Sequence, residues 1–594
     1  MKRRFSVRQV LDHIFGENEG EDIEQHSDTD EQVSEEEDNV EYHPEDTDTS
    51  DESDEEVTGG QAAPAERFKS KNGTICWSSV PHDVHGRAAA ANVIKMTPGI
   101  TRFAVTRVSE SHMTCFELFM PLSLKRVIIA MTNLEGKKVH GDMWKDIDEE
   151  YLDAYIGVLL IAGVYRSCNE ATDSLWDAST GRNIFRATMS LQTFQMISRV
   201  LRFDNRDTRA RSDKLAPIRD VWDRWVQLLP LMFNPGPEVT VDDRLVPFRG
   251  KCPFRQYIPS KPGKYGIKIW AACDAKTSYA WNLQIYTGKA ASGIPEKNQG
   301  KRVVLDMTTG LQGHNITCDN FFTSYDLGQE PLRKKLTMVG TVKKNKPELP
   351  AEILQVKDRA PLSSKFAFTD TTTVVSYCPN KTRNVILMST LHKDAAVSSG
   401  SDKKPTIILD YNKNKGGVDN LDKLTATYTC QRMTRRWPMV VFYNILDVSA
   451  YNAFVLWTHI HQGWNSTKKS KRRMFLEELG NSLVKPHIER RERVPRDPDA
   501  AALVRQLQSS PSTPSTPSAT QRASAPASSS ASPASTPTRT ATATTPLRPP
   551  DSKRKRCQVC PSSKDRKTNV LCFNCKKYLC KEHTKSVTFC HTCI

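Results

Sequence analysis

The sequence lacks any uninterrupted apolar run of the ~18–20 residues that a membrane-spanning helix requires. Its two longest apolar stretches, Tyr155–Val164 and Met439–Trp457, are too short or contain polar residues, so both are predicted to be buried helices. The sequence also lacks a secretory signal, because the basic start Met1–Arg8 is not followed by an apolar segment. We therefore expect an intracellular protein with no membrane partner.

Hydrophobic residues are also scarce, at 38% of the 594 residues compared with about 45–50% in globular domains. The clearest deficit is in residues 17–56, which contain 21 Asp or Glu and no Lys or Arg. Such a segment cannot bury enough apolar surface to offset its ordering entropy, so residues 1–65 are predicted to be a disordered acidic N-terminal tail. The tail is either a plain solubilising segment or a regulatory one, phosphorylated by an acidophilic kinase on the serines that precede acidic residues, Ser27, Ser34, Ser50 and Ser53.

Basic residues are concentrated in the rest of the chain. The net charge of the whole sequence is +15 despite the acidic tail, so the remaining residues are strongly basic and suited to a polyanion such as DNA. Two clusters of Lys and Arg, Lys468–Arg473 and Lys553–Arg556, resemble nuclear localisation signals. These features predict a protein of the nucleus.

The spacing of apolar residues divides the chain into helical and β-rich parts. Residues 66–236 have mostly helical spacings, and a polar stretch with two strand-like runs, Phe366–Tyr377 and Asn384–Thr390, is interpreted as an insertion. Helical patterns resume to about residue 485, and Ser, Thr, Pro and Ala then dominate residues 501–551, which is typical of a flexible linker. Short runs rich in β-branched and aromatic residues predict strands at Val239–Val246, Tyr265–Cys273, Ala280–Tyr286, Asn315–Cys318 and Leu336–Val342.

The 15 cysteines lack the spacing of a disulfide framework, and seven of them lie in residues 557–593. The pattern there is C-x2-C-x11-C-x2-C-x4-C-x2-H-x6-C-x2-C, which supplies ligands for two tetrahedral structural Zn²⁺ ions. Sequential sharing of the four pairs is one alternative, whereas the short x4 spacer resembles RING and PHD fingers and favours a cross-brace. The predicted ligands are Cys557, Cys560, Cys572, Cys575, Cys580, His583, Cys590 and Cys593.

Four aspartates occupy positions suited to metal-dependent catalysis. Asp242 lies in the first predicted strand, Asp319 directly follows the fourth, and Asp419 and Asp422 share one face of a later helix. If these two strands are neighbours and the helix packs across their ends, three carboxylates converge on one point. Carboxylate oxygens suit Mg²⁺, and a pair of such ions stabilises the attacking and leaving oxygens of a phosphoryl displacement. The neighbouring Asp243 alternates to the opposite face of the strand.

Five longer motifs occur in order along the chain: TVDDRLVPFRGKCPFRQYIPSKPGKYGIK (Thr240–Lys268), NITCDNFFTS (Asn315–Ser324), VGTVKKNKPELP (Val339–Pro350), YNKNKGGVDNLDKL (Tyr411–Leu424) and RRWPM (Arg435–Met439). These motifs and the terminal cysteine-rich segment resemble those of piggyBac-type DNA transposases. The sequence departs from the family in having Asp243 where Glu is frequent and Lys343 where Arg is common, and Lys binds phosphate as a point charge.

The resemblance implies a multidomain α+β protein. Its parts are an RNase H-like α/β catalytic core with an insertion, a flanking helical DNA-binding and dimerisation domain, and a C-terminal cross-brace zinc finger. The expected boundaries are 66–237 and 429–500 for the helical domain, 238–345 and 406–428 for the catalytic domain, 346–405 for the insertion, 501–551 for the linker and 552–594 for the zinc-binding domain.

The resemblance also implies cut-and-paste DNA transposition by a Mg²⁺-dependent enzyme. Strand cleavage, hairpin formation and joining at TTAA targets are the expected reactions, on double-stranded DNA and in a homodimer with two Mg²⁺ per active site and two Zn²⁺ per chain. By motif, Asp242, Asp319 and Asp419 hold Mg²⁺ and Asp422 assists. The expected DNA contacts are Arg249, Lys251, Arg255, Lys264, Lys343, Lys346, Arg435, Arg436 and Trp437.

Two other functions compete with this interpretation. The first is a domesticated, non-cleaving nuclear DNA-binding or chromatin protein derived from such a transposase, and the presence of all three aspartates argues against it. The second is a zinc-finger interaction protein such as a ubiquitin ligase, which would leave the α/β core without a role.

Overall fold

The computed structural model describes residues 66–81, 93–289 and 296–509, together with 555–556, 567–568 and 578. Residues up to Ser512 belong to one compact unit and residues from Thr513 to a second. In the second unit, Lys555–Arg556 pairs antiparallel with Lys567–Thr568. The acidic tail with its serines, most of the linker and all eight predicted zinc ligands lie outside the described residues.

The described part of the first unit is built on a mixed sheet of 11 strands, in the order β1-β2-β11-β12-β13-β10-β9-β5-β7-β6, with β8 paired to β7. Strands β3 and β4 form a separate antiparallel pair. The strands are β1 Arg67–Lys69, β2 Cys76–Ser78, β3 Gly99–Ile100, β4 Phe233–Asn234, β5 Glu238–Pro247, β6 Gln256–Tyr257, β7 Tyr265–Asp274, β8 Ala280–Ile285, β9 Asn315–Cys318, β10 Thr337–Thr341, β11 Ser363–Phe368, β12 Thr373–Asn380 and β13 Arg383–Ser389.

The centre of the sheet combines two kinds of pairing. Strands β5, β7 and β8 are antiparallel neighbours, whereas β9 pairs in parallel with both β5 and β10. Apolar and β-branched side chains bury both faces of these strands, as expected for a central sheet covered by helices. The five strands predicted between residues 239 and 342 are confirmed, with ends that agree to within one residue.

Residues 346–405, predicted to be an insertion, extend this same sheet because β13 pairs antiparallel with β10. The run Phe366–Tyr377, predicted to be one strand, is a hairpin whose polar turn is closed by a hydrogen bond from the Thr369 amide to the Thr372 carbonyl. Strand β2, from a segment expected to be helical, adds to the sheet beside β11. Its Trp77 is fully buried and donates through Nε1 to the carbonyl of Glu348.

Helices cover the sheet and form the rest of the first unit. Their sequences carry the expected N-terminal caps: for example, Asp148 and Ser190 accept hydrogen bonds from amides of the first turn. The helices are α1 Arg102–Val105, α2 His112–Glu117, α3 Leu122–His140, α4 Glu149–Val164, α5 Thr172–Leu175, α6 Asn183–Thr188, α7 Leu191–Val200, α8 Arg219–Met232, α9 Gln299–Met307, α10 Tyr325–Arg333, α11 Ala351–Leu354, α12 Thr406–Asn414, α13 Gly417–Thr427, α14 Trp437–Ile460, α15 Lys471–Glu489 and α16 Pro498–Ser509.

Helix α14 runs through the core of the first unit. By length and composition it could cross a membrane, but 94% of its apolar window is buried inside the protein. The side chain of Asn452 forms two hydrogen bonds with the backbone of Ala280 on β8, and Ser449 accepts one from Trp225. The polar residues that interrupt the apolar run therefore attach α14 to its neighbours, and the predicted buried helix is confirmed.

Helix α16 begins before the predicted linker and includes residues 501–509, so the linker boundary at 501 is wrong. Ala500, Ala501 and Val504 are buried, because this amphipathic segment packs against α6 and α15. Composition alone did not separate these alanines from those of the Ser/Pro/Thr/Ala-rich stretch that follows.

Two adjacent glycines join α12 to α13, and one of them lets the chain approach β5 closely. A Cβ at Gly417 would lie 2.6 Å from Oγ1 of Thr240, whereas a Cβ at Gly416 would meet nothing nearer than Asn420 Nδ2 at 3.4 Å. The hydroxyl of Thr240 also donates to the carbonyl of Asn414 at 2.6 Å. Gly417 is therefore required where α13 docks on the sheet.

We expect Gly417→Ala to lower the free energy of unfolding, because overpacking costs about 1–3 kcal/mol and outweighs a gain in helix propensity of at most about 1 kcal/mol. Gly416→Ala is the control, because Gly416 has a φ of −80° and a Cβ there meets nothing nearer than 3.4 Å. The loss of glycine at the N-cap is offset by about 0.4–1 kcal/mol from the lower entropy of the unfolded chain, so we expect a smaller loss of stability than for Gly417→Ala. Urea denaturation of the two variants measures the difference. Equal stabilities would show that α13 does not depend on this close approach.

Candidate active site

Two of the predicted catalytic aspartates lie side by side at one edge of the central sheet. Strands β5 and β9 are parallel and in register as far as the pair Val241 and Cys318, so Asp242 and Asp319 follow at adjacent positions. The expectation that these strands are neighbours is confirmed. Asp319 is oriented by a hydrogen bond that its Oδ1 accepts from the amide of Phe321 at 2.8 Å.

Helix α13 packs on the face of β5 that carries Asp242. Residues at alternate positions of a strand share a face, so Arg244 lies on the same side as Asp242. The Arg244 side chain is 2% exposed, forms an ion pair with Asp422 and donates from Nη2 to Oγ1 of Thr425 at 3.0 Å. This pair anchors α13, and with it Asp419 in the first turn, over the end of β5.

Lys261 lies between the helix and the sheet. Its Nζ donates to the carbonyl of Asp243 at 2.7 Å and is 3.5 Å from Oδ1 of Asp419. Burial would lower the pKa of the Lys261 ammonium, but the charges of Asp242, Asp243, Asp419 and Asp422 outweigh burial and raise it. The lysine is therefore a charged member of the site.

Asp243 belongs to the opposite face of β5, as predicted from strand alternation. Its carboxylate pairs with Lys268 on β7 at 3.2 Å. The Lys268 ammonium in turn lies 5.1 Å from the ring of Phe321, which also receives the Lys343 ammonium at 5.9 Å. A second group of cations thus neutralises the reverse side of the site.

Burial and the charges of neighbouring carboxylates raise the pKa values of Asp242 and Asp319. Burial, followed by the charge of Asp319, raises the pKa of Asp242 to about 7. The pKa of Asp319 is also raised, chiefly by burial and then by the charge of Asp243. A cation placed between them would remove this repulsion.

The donor set consists of carboxylate oxygens, so by chemistry it fits a hard divalent cation such as Mg²⁺. Among residues 66–81, 93–289 and 296–509, no three His, Cys, Asp or Glu side chains lie close enough together to hold a metal ion. Asp242 and Asp319 are together, and Asp419 lies on the other side of the Lys261 ammonium with 68% of its side chain exposed.

Most of the predicted DNA-contacting residues are exposed. Arg255 also donates to the carbonyls of Arg249 and Gly250, which shapes the loop after β5. Lys346 is half-buried beside the segment that carries Trp77. The exposed residues are Arg249, Lys251, Arg255, Lys264, Lys343 and Arg435.

The side chains of two predicted DNA-contacting residues instead contact other parts of the protein. The guanidinium of Arg436 donates to the carbonyls of Ser198, Arg199 and Leu201. Trp437 is only 9% exposed and packs edge-on against Phe254 at 4.9 Å. As arranged here, both residues connect α14 to its surroundings, and their contact with DNA stays a prediction.

Arg244, Lys261 and Lys268 were missed from the sequence. A signal existed for Arg244, since a charged residue two positions after Asp242 in an apolar strand must share its face. Lys268 could be found the same way, by alternation along β7. The sequence of the loop around Lys261 gives no sign that its side chain lies beside the carboxylate of Asp419.

Comparisons with known proteins agree with this geometry. A family model described as Transposase IS4 matches residues 111–454. The fold is similar to that of a protein chain in the cryo-EM structure of the piggyBac transposase synaptic complex with hairpin DNA, with a TM-score of 0.65 and 30% sequence identity. The alignment covers 84% of this chain and 100% of the matched chain. This chain belongs to the piggyBac-type transposase family.

Human members of this piggyBac-type family are more distant. PiggyBac transposable element-derived protein 3 of Homo sapiens is 23% identical over 347 residues, which are 54% of this chain and 57% of the relative. PiggyBac transposable element-derived protein 2 of Homo sapiens is 20% identical over 362 residues, or 57% and 60% of the two chains. The chain thus spans less than two thirds of the length of these curated relatives.

The ion pair with Arg244 predicts different roles for the two aspartates of helix α13, Asp419 and Asp422. Asp422→Asn leaves a buried guanidinium without its counter-charge and should lower the free energy of unfolding by about 2 kcal/mol, less than for a fully buried pair because Asp422 is 31% exposed. Asp419→Asn, at an exposed carboxylate, should change it by less than about 0.5 kcal/mol. Chemical denaturation of both variants tests this. Equal losses of stability would contradict the assignment.

The raised pKa of Asp242 predicts that this carboxylate destabilises the metal-free fold at neutral pH. Because the folded state keeps its proton to about pH 7, the contribution of Asp242 to stability falls as the pH rises from about 4 to 7. Asp242→Asn should match the wild type near pH 4 and become more stable toward pH 7, by at most about 1.4 kcal/mol per pH unit. Urea denaturation across this range gives the comparison. Parallel pH profiles would refute it.

Proposed function

We propose that this protein is a metal-dependent DNA transposase that cleaves strands at transposon ends, forms hairpins and joins the ends to TTAA targets. The observation that carries the proposal is the adjacency of Asp242, in the middle of β5, and Asp319, directly after the end of the parallel strand β9, with the Asp419 helix packed on β5. Carboxylates concentrated against their own repulsion are typical of a site that binds cations. The similarity to a piggyBac transposase bound to hairpin DNA supports the same activity.

The order of the central strands supports an RNase H-like catalytic core. Strands β8, β7 and β5 are antiparallel, and β9 and β10 follow in parallel, with Asp242 in the middle of β5 and Asp319 directly after β9. The helices outside this core would form the DNA-binding and dimerisation domain.

The residues of the site have separate tasks in this proposal. Asp242, Asp319 and Asp419 would hold Mg²⁺, which when bound activates the attacking oxygen and stabilises the leaving oxygen of the cleaved phosphodiester. Arg244 and Asp422 position the helix that carries Asp419. The exposed residues Lys343 and Lys264 would bind DNA phosphates near the carboxylates.

The remaining predictions complete the proposal. The cysteine-rich segment would bind two Zn²⁺ ions and recognise transposon-end DNA, and the two basic clusters would direct the protein to the nucleus. The acidic tail would be a substrate for an acidophilic kinase. A homodimer would bring two DNA ends together.

Replacement of single carboxylates tests the catalytic proposal. Asp319→Asn removes one charged ligand at nearly constant volume, so we expect a folded protein whose cleavage of the DNA flanking its own gene falls by orders of magnitude. The control is Asp326→Asn, because Asp326 is 63% exposed and lies one helix turn beyond the site, paired with Lys301. Strand cleavage in a gel assay is the measurement.

Two outcomes would contradict the proposal. Near-normal cleavage by Asp319→Asn would exclude this carboxylate from the metal site. Specific DNA binding without any cleavage by the wild type would favour the domesticated, non-cleaving protein.

A further inference from the structure

The loop that carries Lys261 is folded by its own backbone. Within it, the amide of Ile258 donates to the carbonyl of Lys264 at 2.7 Å, and the Lys264 amide returns to the carbonyl of Lys261 at 3.0 Å. A Cβ at Gly263 would lie 3.0 Å from the ring of Pro247, so the loop is also packed closely on the end of β5. The position from which the Lys261 side chain starts is therefore fixed.

The ammonium of Lys261 lies between β5 and the helix that carries Asp419. It is held by the Asp243 carbonyl at 2.7 Å and faces Asp419 at 3.5 Å, with 21% of the side chain exposed. The other neighbouring acids have their own partners, since Asp243 pairs with Lys268 and Asp422 with Arg244. Lys261 is thus the positive charge that joins Asp419 to β5 at the residue next to Asp242.

Space is available for Lys261 to move. A cavity of about 400 Å³ opens beside it, lined by Pro247, Pro262, Asp419, Asp422 and Asn444. Two buried polar atoms at its wall, Nη1 of Arg244 and Oδ1 of Asn444, have no hydrogen-bond partner. The side chain therefore has room to change its rotamer without unfolding the loop that holds its backbone.

We propose that Lys261 is an internal counter-cation of the metal site: in the metal-free protein its ammonium holds Asp419 to the end of β5, and a divalent cation must displace it to bind all three carboxylates. The proposal rests on the metal-dependent function proposed above. Lys261 is then a positioning residue that keeps the acidic site closed before loading and sets the metal affinity. This arrangement explains why no three described acidic side chains converge while the ammonium is in place.

The test is a titration of the full chain with Mn²⁺, followed by the electron paramagnetic resonance signal of the free ion. Binding that disappears in Asp319→Asn is assigned to the site, and the remainder to other carboxylates such as those of the acidic tail. We expect Lys261→Met to bind Mn²⁺ at the site about tenfold or more tightly than the wild type, because the competing charge is gone. Lys261→Arg keeps the charge and should bind close to the wild-type affinity.

Lys357→Met is the control, because Lys357 is an exposed lysine that follows α11 and is not one of the predicted DNA contacts. It should leave Mn²⁺ affinity unchanged, and thermal unfolding confirms that each variant is folded. Equal or weaker binding by Lys261→Met, in a wild type that does bind Mn²⁺ through Asp319, would overturn this inference and leave the proposed function intact. Absence of Asp319-dependent binding in the wild type and in Lys261→Met would overturn both.

Discussion

The buried guanidinium of Arg244 is the constraint on which the site depends. A charge that is 2% exposed must be paired, because leaving it without a counter-ion costs several kcal/mol. Its partner Asp422 lies on α13, so the helix can dock in only one way over β5. That docking brings Gly417 against Thr240 and places Asp419 beside the end of the strand. An ion pair with no part in the chemistry therefore determines where the third carboxylate lies.

The site brings carboxylates together in a buried position, although their repulsion and their burial both disfavour folding. Asp242 and Asp319 are neighbours because parallel pairing of β5 and β9 leaves them no alternative, and burial adds to their repulsion. Around them the chain supplies four cations, Arg244, Lys261, Lys268 and Lys343, of which Arg244 and Lys268 are paired with acids outside the predicted metal ligands. The fold thus tolerates unfavourable electrostatics at the two positions that a metal would neutralise.

The sequence predicted the central strands well because each is a short, buried run of β-branched and aromatic residues. It also predicted that Asp242 and Asp319 converge, since this follows from strand adjacency alone. It failed where a local turn decides: the Thr-rich turn at residues 369–372 splits one predicted strand into two. It also could not show that residues 346–405 join the main sheet through β13, because that pairing is tertiary. Nor could the motif show the contacts distant in sequence that Arg436 and Trp437 make within the protein.

The three predicted metal ligands are held by different kinds of structure, and this has a consequence for loading. The sheet fixes the positions of Asp242 and Asp319. Their carboxylates repel each other, and the strands cannot move apart to reduce this repulsion. Asp419 lies in the first turn of α13, where the helix dipole favours a negative charge, and its side chain is largely exposed. Most of the favourable change on binding a cation should therefore arise at the strand pair. The helix carboxylate can complete the coordination by a side-chain movement, without displacement of the backbone that Arg244 anchors.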